Sequence, residues 1–115
     1  MCEKALQYIL GFWDFYRFRF KVGEGVLIPR PETELLPEFA VKQLRKTGGA
    51  VVYDLCCGSG CIGLSVAKLF PNIKVFCIDI SDKAIEYTKE NAERLGLYNV
   101  TVLKRDVLEP ISALE

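Results

Sequence analysis

Hydrophobic positions along this chain follow two rhythms. From Val51 to Leu55 they form a short apolar run interrupted by Asp54. Beyond Gly58 and Gly60 they recur at helical spacing through Ile62, Leu64, Val66, Ala67 and Leu69. The predicted order is strand, glycine turn, helix. A second apolar run, Lys74 to Asp79, predicts another strand. Ser81 then stands where it can cap a helix whose apolar face is Ala84, Ile85, Thr88, Ala92 and Leu95, with Gly96 as its stop. Glu90 and Arg94 on that helix are spaced for an i,i+4 ion pair. Val100 to Leu103 predicts a third strand, with Asp106 just past its end, and Pro110 onward reads as the start of another helix. Strands alternating with helices predict an α/β fold with a parallel sheet and right-handed crossovers.

The first 49 residues have a different pattern. Ala5, Leu6, Ile9 and Leu10 suggest a short helix ending at Gly11. Tyr16, Phe18, Phe20 and Val22 then alternate with Arg17, Arg19 and Lys21, a period of two that predicts a strand with one apolar and one basic face. Gly23-Glu24-Gly25 reads as a turn and Val26-Leu27-Ile28 as a returning strand, so a hairpin is expected over Phe15 to Ile28. Pro29 and Pro31 predict a stiff, extended approach to a helix bearing Leu35, Leu36, Phe39, Ala40, Val41 and Leu44 and stopping near Gly48-Gly49. Residues 1–49 and 50–115 are expected to form one structural unit.

At 115 residues, half of them hydrophobic, the chain suits one packed domain. Fifteen basic and fifteen acidic residues cancel. No global positive field draws it to nucleic acid, although aromatics interleaved with bases at 16–22 can stack on bases; a hairpin covering a core is the plainer alternative. No apolar run approaches the ~20 residues of a membrane span, and no secretory signal opens the chain. Histidine is absent, and the five cysteines (Cys2, Cys56, Cys57, Cys61 and Cys77) form no C-x-x-C pair, so no zinc site is expected. Small, reduced, buried thiols of a cytoplasmic protein fit better. Cys57 or Cys61, near a helix N-terminus, is where an acidified thiol would stand.

The chemistry concentrates at the glycine turn. Gly58-Ser59-Gly60-Cys61-Ile62-Gly63 fits the dinucleotide fingerprint G-x-G-x-x-G. The helix that follows offers free N–H groups and a partial positive charge. Asp79, at the next strand end, can accept from ribose hydroxyls. A nucleoside cofactor across the tips of two parallel strands satisfies all of this, and two cofactors compete. NAD fits the glycines, but Asp54 would repel its pyrophosphate. S-adenosylmethionine carries an ammonium group that a carboxylate at Asp54 attracts. A structural turn without a ligand is the third reading.

Gln7-Tyr8-Ile9-Leu10-Gly11, the Phe15-Tyr16 hairpin and Ile28-Pro29-Arg30-Pro31-Glu32-Thr33-Glu34 resemble the HemK/PrmC family, N5-glutamine methyltransferases of peptide-chain release factors. The likeness continues through Asp54-Leu55, Gly58-Ser59-Gly60, Asp79-Ile80-Ser81 and Glu90-Asn91-Ala92-Glu93-Arg94. It implies a Rossmann-like, S-adenosylmethionine-dependent methyltransferase fold, a cytoplasmic enzyme and a release factor as partner. By this resemblance, the main chain of Cys56, Cys57, Gly58, Ser59 and Gly60 would cradle the methionine part of the cofactor. Asp54 would stand beside it, Asp79 would bind the ribose, and Asp106 and Val107 would flank the adenine. Thr33 would help close the pocket. Cys56 stands where the family usually has glycine. The family's catalytic Asn-Pro-Pro-Tyr does not occur in these 115 residues, and most of its N-terminal helical domain is absent. The expectation is therefore the cofactor-binding first half of the domain, with no catalytic residue and no glutamine methylation by this chain alone. A non-catalytic half-Rossmann fragment and part of a nucleic-acid adenine methyltransferase are the alternatives. The strand at 50–55, lacking one neighbour, is expected to pair in a homodimer.

Overall fold

A computed structural model describes residues 11–26, 31–48, 51–55 and 57–106. The expected helix at 1–10, the returning strand at Leu27 and Ile28, the approach at Pro29, the site residues Cys56 and Val107, and the helix after Pro110 lie outside them.

Three parallel strands carry the domain: β3 (Val51–Leu55), β4 (Lys74–Asp79) and β5 (Val100–Lys104), in the order β3-β4-β5. Their registers run from Val51↔Lys74 to Leu55↔Ile78 and from Val75↔Val100 to Asp79↔Lys104. β4 is central among the described strands, and its Val75, Cys77 and Ile78 are buried, as expected for a strand covered on both faces. β3 has one open side among the described residues, with Val51 and Leu55 46% and 44% exposed.

Between the strands run α2 (Cys61–Leu69) and α3 (Asp82–Arg94). Ser81 caps α3 by accepting from the Ala84 N–H at 3.3 Å. Asn99 ends α2, its Nδ2 donating to the carbonyls of Ala67, Phe70 and Ile73 at 3.2, 3.1 and 2.9 Å. Of these only Ala67 belongs to α2, its carbonyl lacking an i+4 donor because residue 71 is proline, and the same amide ties the Phe70–Ile73 turn to the helix end.

The hairpin differs from expectation. It consists of β1 (Phe12–Phe15) and β2 (Phe18–Lys21), turning at Tyr16-Arg17; the expected turn at Gly23–Gly25 is present as well, the Val26 N–H donating to the Gly23 carbonyl at 3.4 Å. Tyr16 takes φ +58°, the left-handed value that a two-residue hairpin turn needs and glycine usually supplies. Its N–H donates to Glu34 Oε1. Register supplies the reason for the shift. Pairing Phe15↔Phe18 and Trp13↔Phe20 puts four aromatics on one face, and Phe15 and Phe20 are wholly buried in the same core as Leu64, Val66, Ala67, Val75 and Cys77. The opposite face is not purely basic either, because Arg19 Nε donates to Asp14 Oδ1 across the strands at 2.9 Å.

Pro31–Glu34 forms a 3-10 turn, not an extended approach; proline's φ suits both conformations. α1 (Leu35–Thr47) follows and ends at Gly48, φ +82°. It buries Pro37, Val41 and Leu44, one stripe at i, i+4, i+7, while Leu35, Leu36 and Phe39 remain exposed. Among the described residues no helix is long and apolar enough to cross a membrane.

Candidate functional site

The carboxyl ends of β3, β4 and β5 lie side by side, with Leu55 opposite Ile78 and Asp79 opposite Lys104. The Arg105 N–H donates to the Asp79 carbonyl at 3.1 Å, which holds the two later ends together. In open α/β sheets ligands bind outside this edge.

The glycine turn spans the gap from β3 to α2. Cys57 N–H donates to Ile78 O at 3.1 Å and Gly60 N–H to Cys57 O at 2.8 Å. Gly60 takes φ +87° at the start of α2, and a Cβ there would stand 2.9 Å from Leu64 Cδ1 and 3.0 Å from Thr88 Cγ2. Backbone and packing both demand glycine. Cys57 and Ser59 turn their side chains inward: Cys57 Sγ lies 3.4 Å from Thr88 Oγ1 and Ser59 Oγ 3.0 Å from Cys61 Sγ. The turn therefore presents main chain, not side chains, to the edge of the sheet.

Both strand-end acids hold this turn. Asp54 Oδ2 accepts from the Gly63 N–H at 3.0 Å, in the first turn of α2. Gly63 makes the approach possible, since a Cβ on it would fall 2.9 Å from that same oxygen and 2.9 Å from Cys77 Sγ. Asp79 Oδ2 accepts from the Gly58 N–H at 3.1 Å and Oδ1 from the Ser81 N–H at 3.0 Å. Each carboxylate oxygen retains a further lone pair for a ligand. Burial pushes the Asp54 carboxyl up to about 6; the Gly63 N–H opposes this and the Asp79 charge adds to it. At neutral pH Asp54 is mostly ionised, and a cation beside it is attracted both by the charge and by the low polarity of the surroundings.

The thiols behave otherwise than expected near a helix N-terminus. Burial pushes Cys61 up to about 12, and a hydrogen bond with Cys57 together with burial holds the Cys77 thiol protonated. Cys57, Cys61 and Cys77 are buried free thiols, so the expectation of an acidified Cys61 is overturned: desolvation outweighs the helix dipole. The expected Glu90–Arg94 pair is replaced as well. Lys21 Nζ lies 3.0 Å from Glu90 Oε2, and the Arg94 guanidinium sits over the Phe12 ring, 4.7 Å from its centre. Among the described residues no group of three or more His, Cys, Asp or Glu could hold a metal ion.

Asp54, Cys57, Gly58, Ser59, Gly60 and Asp79 are thus brought together, and Asp106 follows two residues after β5, half-buried. Thr33 is half-buried in the 3-10 turn and, among the described residues, makes no hydrogen bond to the glycine turn. Two residues of the site were not singled out from the sequence. Thr88 and Asn91 on α3 are both 0% exposed and bond the carbonyls of the glycine turn. The signal was available: Ala84, Thr88, Asn91 and Leu95 share one helical stripe, so Asn91 is a polar residue on a buried face.

With Asp54 on a first-turn amide of α2, a pyrophosphate would meet a carboxylate where it needs a donor. The fold is that of a methyltransferase. The chain belongs to the methyltransferase domain family, which matches residues 46–114. It is 45% identical over 111 residues to the release factor glutamine methyltransferase of Thermodesulfovibrio yellowstonii, covering 94% of this chain and 39% of that protein. The chain therefore spans about two fifths of the length of that relative. Among solved structures it is similar to a ribosomal protein L11 methylase from Lactobacillus delbrueckii subsp. bulgaricus (TM-score 0.61, 25% identity, 77% of this chain, 45% of that one). It also resembles TYW2 from M. jannaschii in complex with AdoMet (TM-score 0.59, 20% identity, 80% of this chain, 41% of that one), a likeness of fold.

Proposed function

We propose that this chain is the S-adenosylmethionine-binding part of a methyltransferase that modifies the glutamine side chain of peptide-chain release factors. The observation that carries the cofactor is Asp54, a largely desolvated carboxylate seated on the Gly63 N–H at the start of α2. An ammonium group suits that place and a diphosphate does not. The cofactor's methionine part would lie along the main chain of Cys56–Gly60. Its ribose hydroxyls would meet the free lone pairs of Asp79, and its adenine would lie beside Asp106 and Val107, with Thr33 toward the pocket's mouth. Bound there, S-adenosylmethionine supplies a methyl group on a sulfonium, open to in-line attack. The residues of this chain bind and orient it. The release-factor substrate is supported by the relatives' name and by the Pro-Arg-Pro-Glu-Thr run.

Calorimetric titration of the chain with S-adenosylmethionine, with NAD as control, tests the cofactor. Binding of the first alone is expected, and binding of NAD alone, or of neither, would sink the reading. Orienting a poor amide nucleophile can be worth ~7–11 kcal/mol. The Asn-Pro-Pro-Tyr that performs this in the resembling family does not occur here. No release-factor methylation by this chain alone is therefore expected, and measurable turnover would contradict the assignment to a cofactor-binding part. The open side of β3 is proposed to pair with β3 of a second copy, and a strictly monomeric mass in light scattering at high concentration would overturn that.

A further inference from the structure

Two successive carbonyls of the glycine turn are held by one face of α3. Thr88 Oγ1 donates to Gly58 O at 2.9 Å, and Asn91 Nδ2 donates to Ser59 O at 2.9 Å. Thr88 and Asn91 are i and i+3 on the helix, so their side chains project together. A planar trans peptide sends its N–H opposite to its C=O. Fixing Gly58 O against α3 therefore turns the Ser59 N–H away from α3. The hydroxyl of Thr88 has one hydrogen and gives it to Gly58, so in its contact with Cys57 the thiol is the donor.

Asn91 makes two further bonds. Its Oδ1 accepts from the Lys21 N–H at 2.5 Å and its Nδ2 donates to the Lys21 carbonyl at 3.0 Å. The side-chain amide thus pairs with the N–H and C=O of Lys21 as a neighbouring strand would, at the end of β2, while the same nitrogen holds the turn. Both Nδ2 hydrogens and Oδ1 are used. An aspartate there would place oxygen against two carbonyls, and an alanine would strip this partner from the buried Ser59 carbonyl and from the half-buried Lys21 N–H and C=O.

We propose that Thr88 and Asn91 are positioning residues: a clamp that presets the glycine turn for its ligand and couples it, through the N–H and C=O of Lys21, to the hairpin. What the turn binds rests on the cofactor reading above; the clamp itself does not. A turn already ordered costs its ligand no ordering entropy, and linkage makes the coupling reciprocal, so a ligand on the turn steadies the hairpin.

The test uses the full chain with Asn91→Ala, Thr88→Val (volume kept, hydroxyl lost) and Thr88→Ser (hydroxyl kept). Asn99→Ala is the control, a comparable loss of buried hydrogen bonds at the far end of α2. S-adenosylmethionine affinity is measured by calorimetry where each variant is folded, together with hydrogen exchange at the Gly58 and Gly60 amides. The expected result is about 10-fold weaker binding and faster exchange for Asn91→Ala and Thr88→Val, with Thr88→Ser and Asn99→Ala near the parent. In the parent but not in Asn91→Ala, the cofactor should also slow exchange of the Lys21 amide. Binding within two-fold of the parent in both clamp variants, or equal weakening in Asn99→Ala, overturns the proposal. If Asn91→Ala does not fold, the Thr88 pair decides. If the parent binds no S-adenosylmethionine, the cofactor reading fails; the clamp is then decided by exchange alone, unchanged rates at Gly58 and Gly60 overturning it.

Discussion

Asp54→Asn should make this protein more stable while impairing its site. The Asp54 carboxyl is pushed by burial from an ordinary 3.8 to about 6. At 1.36 kcal/mol per pH unit the difference is about 3 kcal/mol, the cost of holding the ionised form in the folded state at neutral pH. The sign follows from linkage. Between 3.8 and 6 the folded chain binds more protons than the unfolded one, so stability falls as pH rises through this window and is level above it. Asparagine does not titrate, and its Oδ1 can still accept from Gly63. The variant should therefore match the parent near pH 4 and exceed it by about 1–3 kcal/mol at pH 7.5, the lower figure allowing for residual access of water. Urea unfolding followed by the fluorescence of Trp13, the single tryptophan, measures both at each pH. A variant less stable than the parent at pH 7.5, or a difference independent of pH, would refute the reasoning. The first result would mean that the charge-assisted bond to Gly63 outweighs the cost of burial. The cofactor should respond in the opposite sense, because the amide cannot attract an ammonium, and S-adenosylmethionine should bind at least about 10-fold more weakly.

Other substitutions separate architecture from site. Gly63→Ala drives a methyl against Asp54 Oδ2 and Cys77 Sγ; a loss of about 1–3 kcal/mol and weaker cofactor binding are expected, and a variant that keeps both stability and affinity would show that the close approach is dispensable. Asn99→Ala strips the end of α2 of its shared donor and should cost about 1–3 kcal/mol in urea unfolding. Its cofactor affinity should not change; a large loss of affinity would mean that the far end of α2 speaks to the turn. The thiols of Cys61 and Cys77, buried and held protonated, should resist alkylation at pH 7.5 until urea unfolds the chain. Rapid labelling of either in the native state, located by mass spectrometry, would contradict the burial.

Much of the αβ half was legible. Lys74–Asp79 was predicted and found with the same limits, Ser81 caps the helix it was expected to cap, and the positive φ of Gly60 and Gly48 falls where glycine interrupts helical spacing. These features are local: a period of two or of 3.6, a hydroxyl before a helix, a residue without a Cβ. The N-terminal half was read less well. Alternation over Tyr16–Val22 could not show that the chain doubles back at Tyr16-Arg17, because a tyrosine in the left-handed region has no local signature. Leu35, Leu36 and Phe39 look like a core face by composition, yet α1 turns Pro37, Val41 and Leu44 inward.

By itself the sequence determined the strand–turn–helix order, the glycines that the turn cannot do without, and the two acids at the strand ends. Only the tertiary structure decided what these acids touch, that burial lifts Asp54 while Gly63 admits it, and that Asn91 joins Lys21 to Ser59 across 70 and 32 residues of chain. The physical reason is range. Propensity and periodicity act over one or two turns of chain, whereas desolvation and a side-chain amide's choice of partner depend on which distant segments the core brings within about 3 Å.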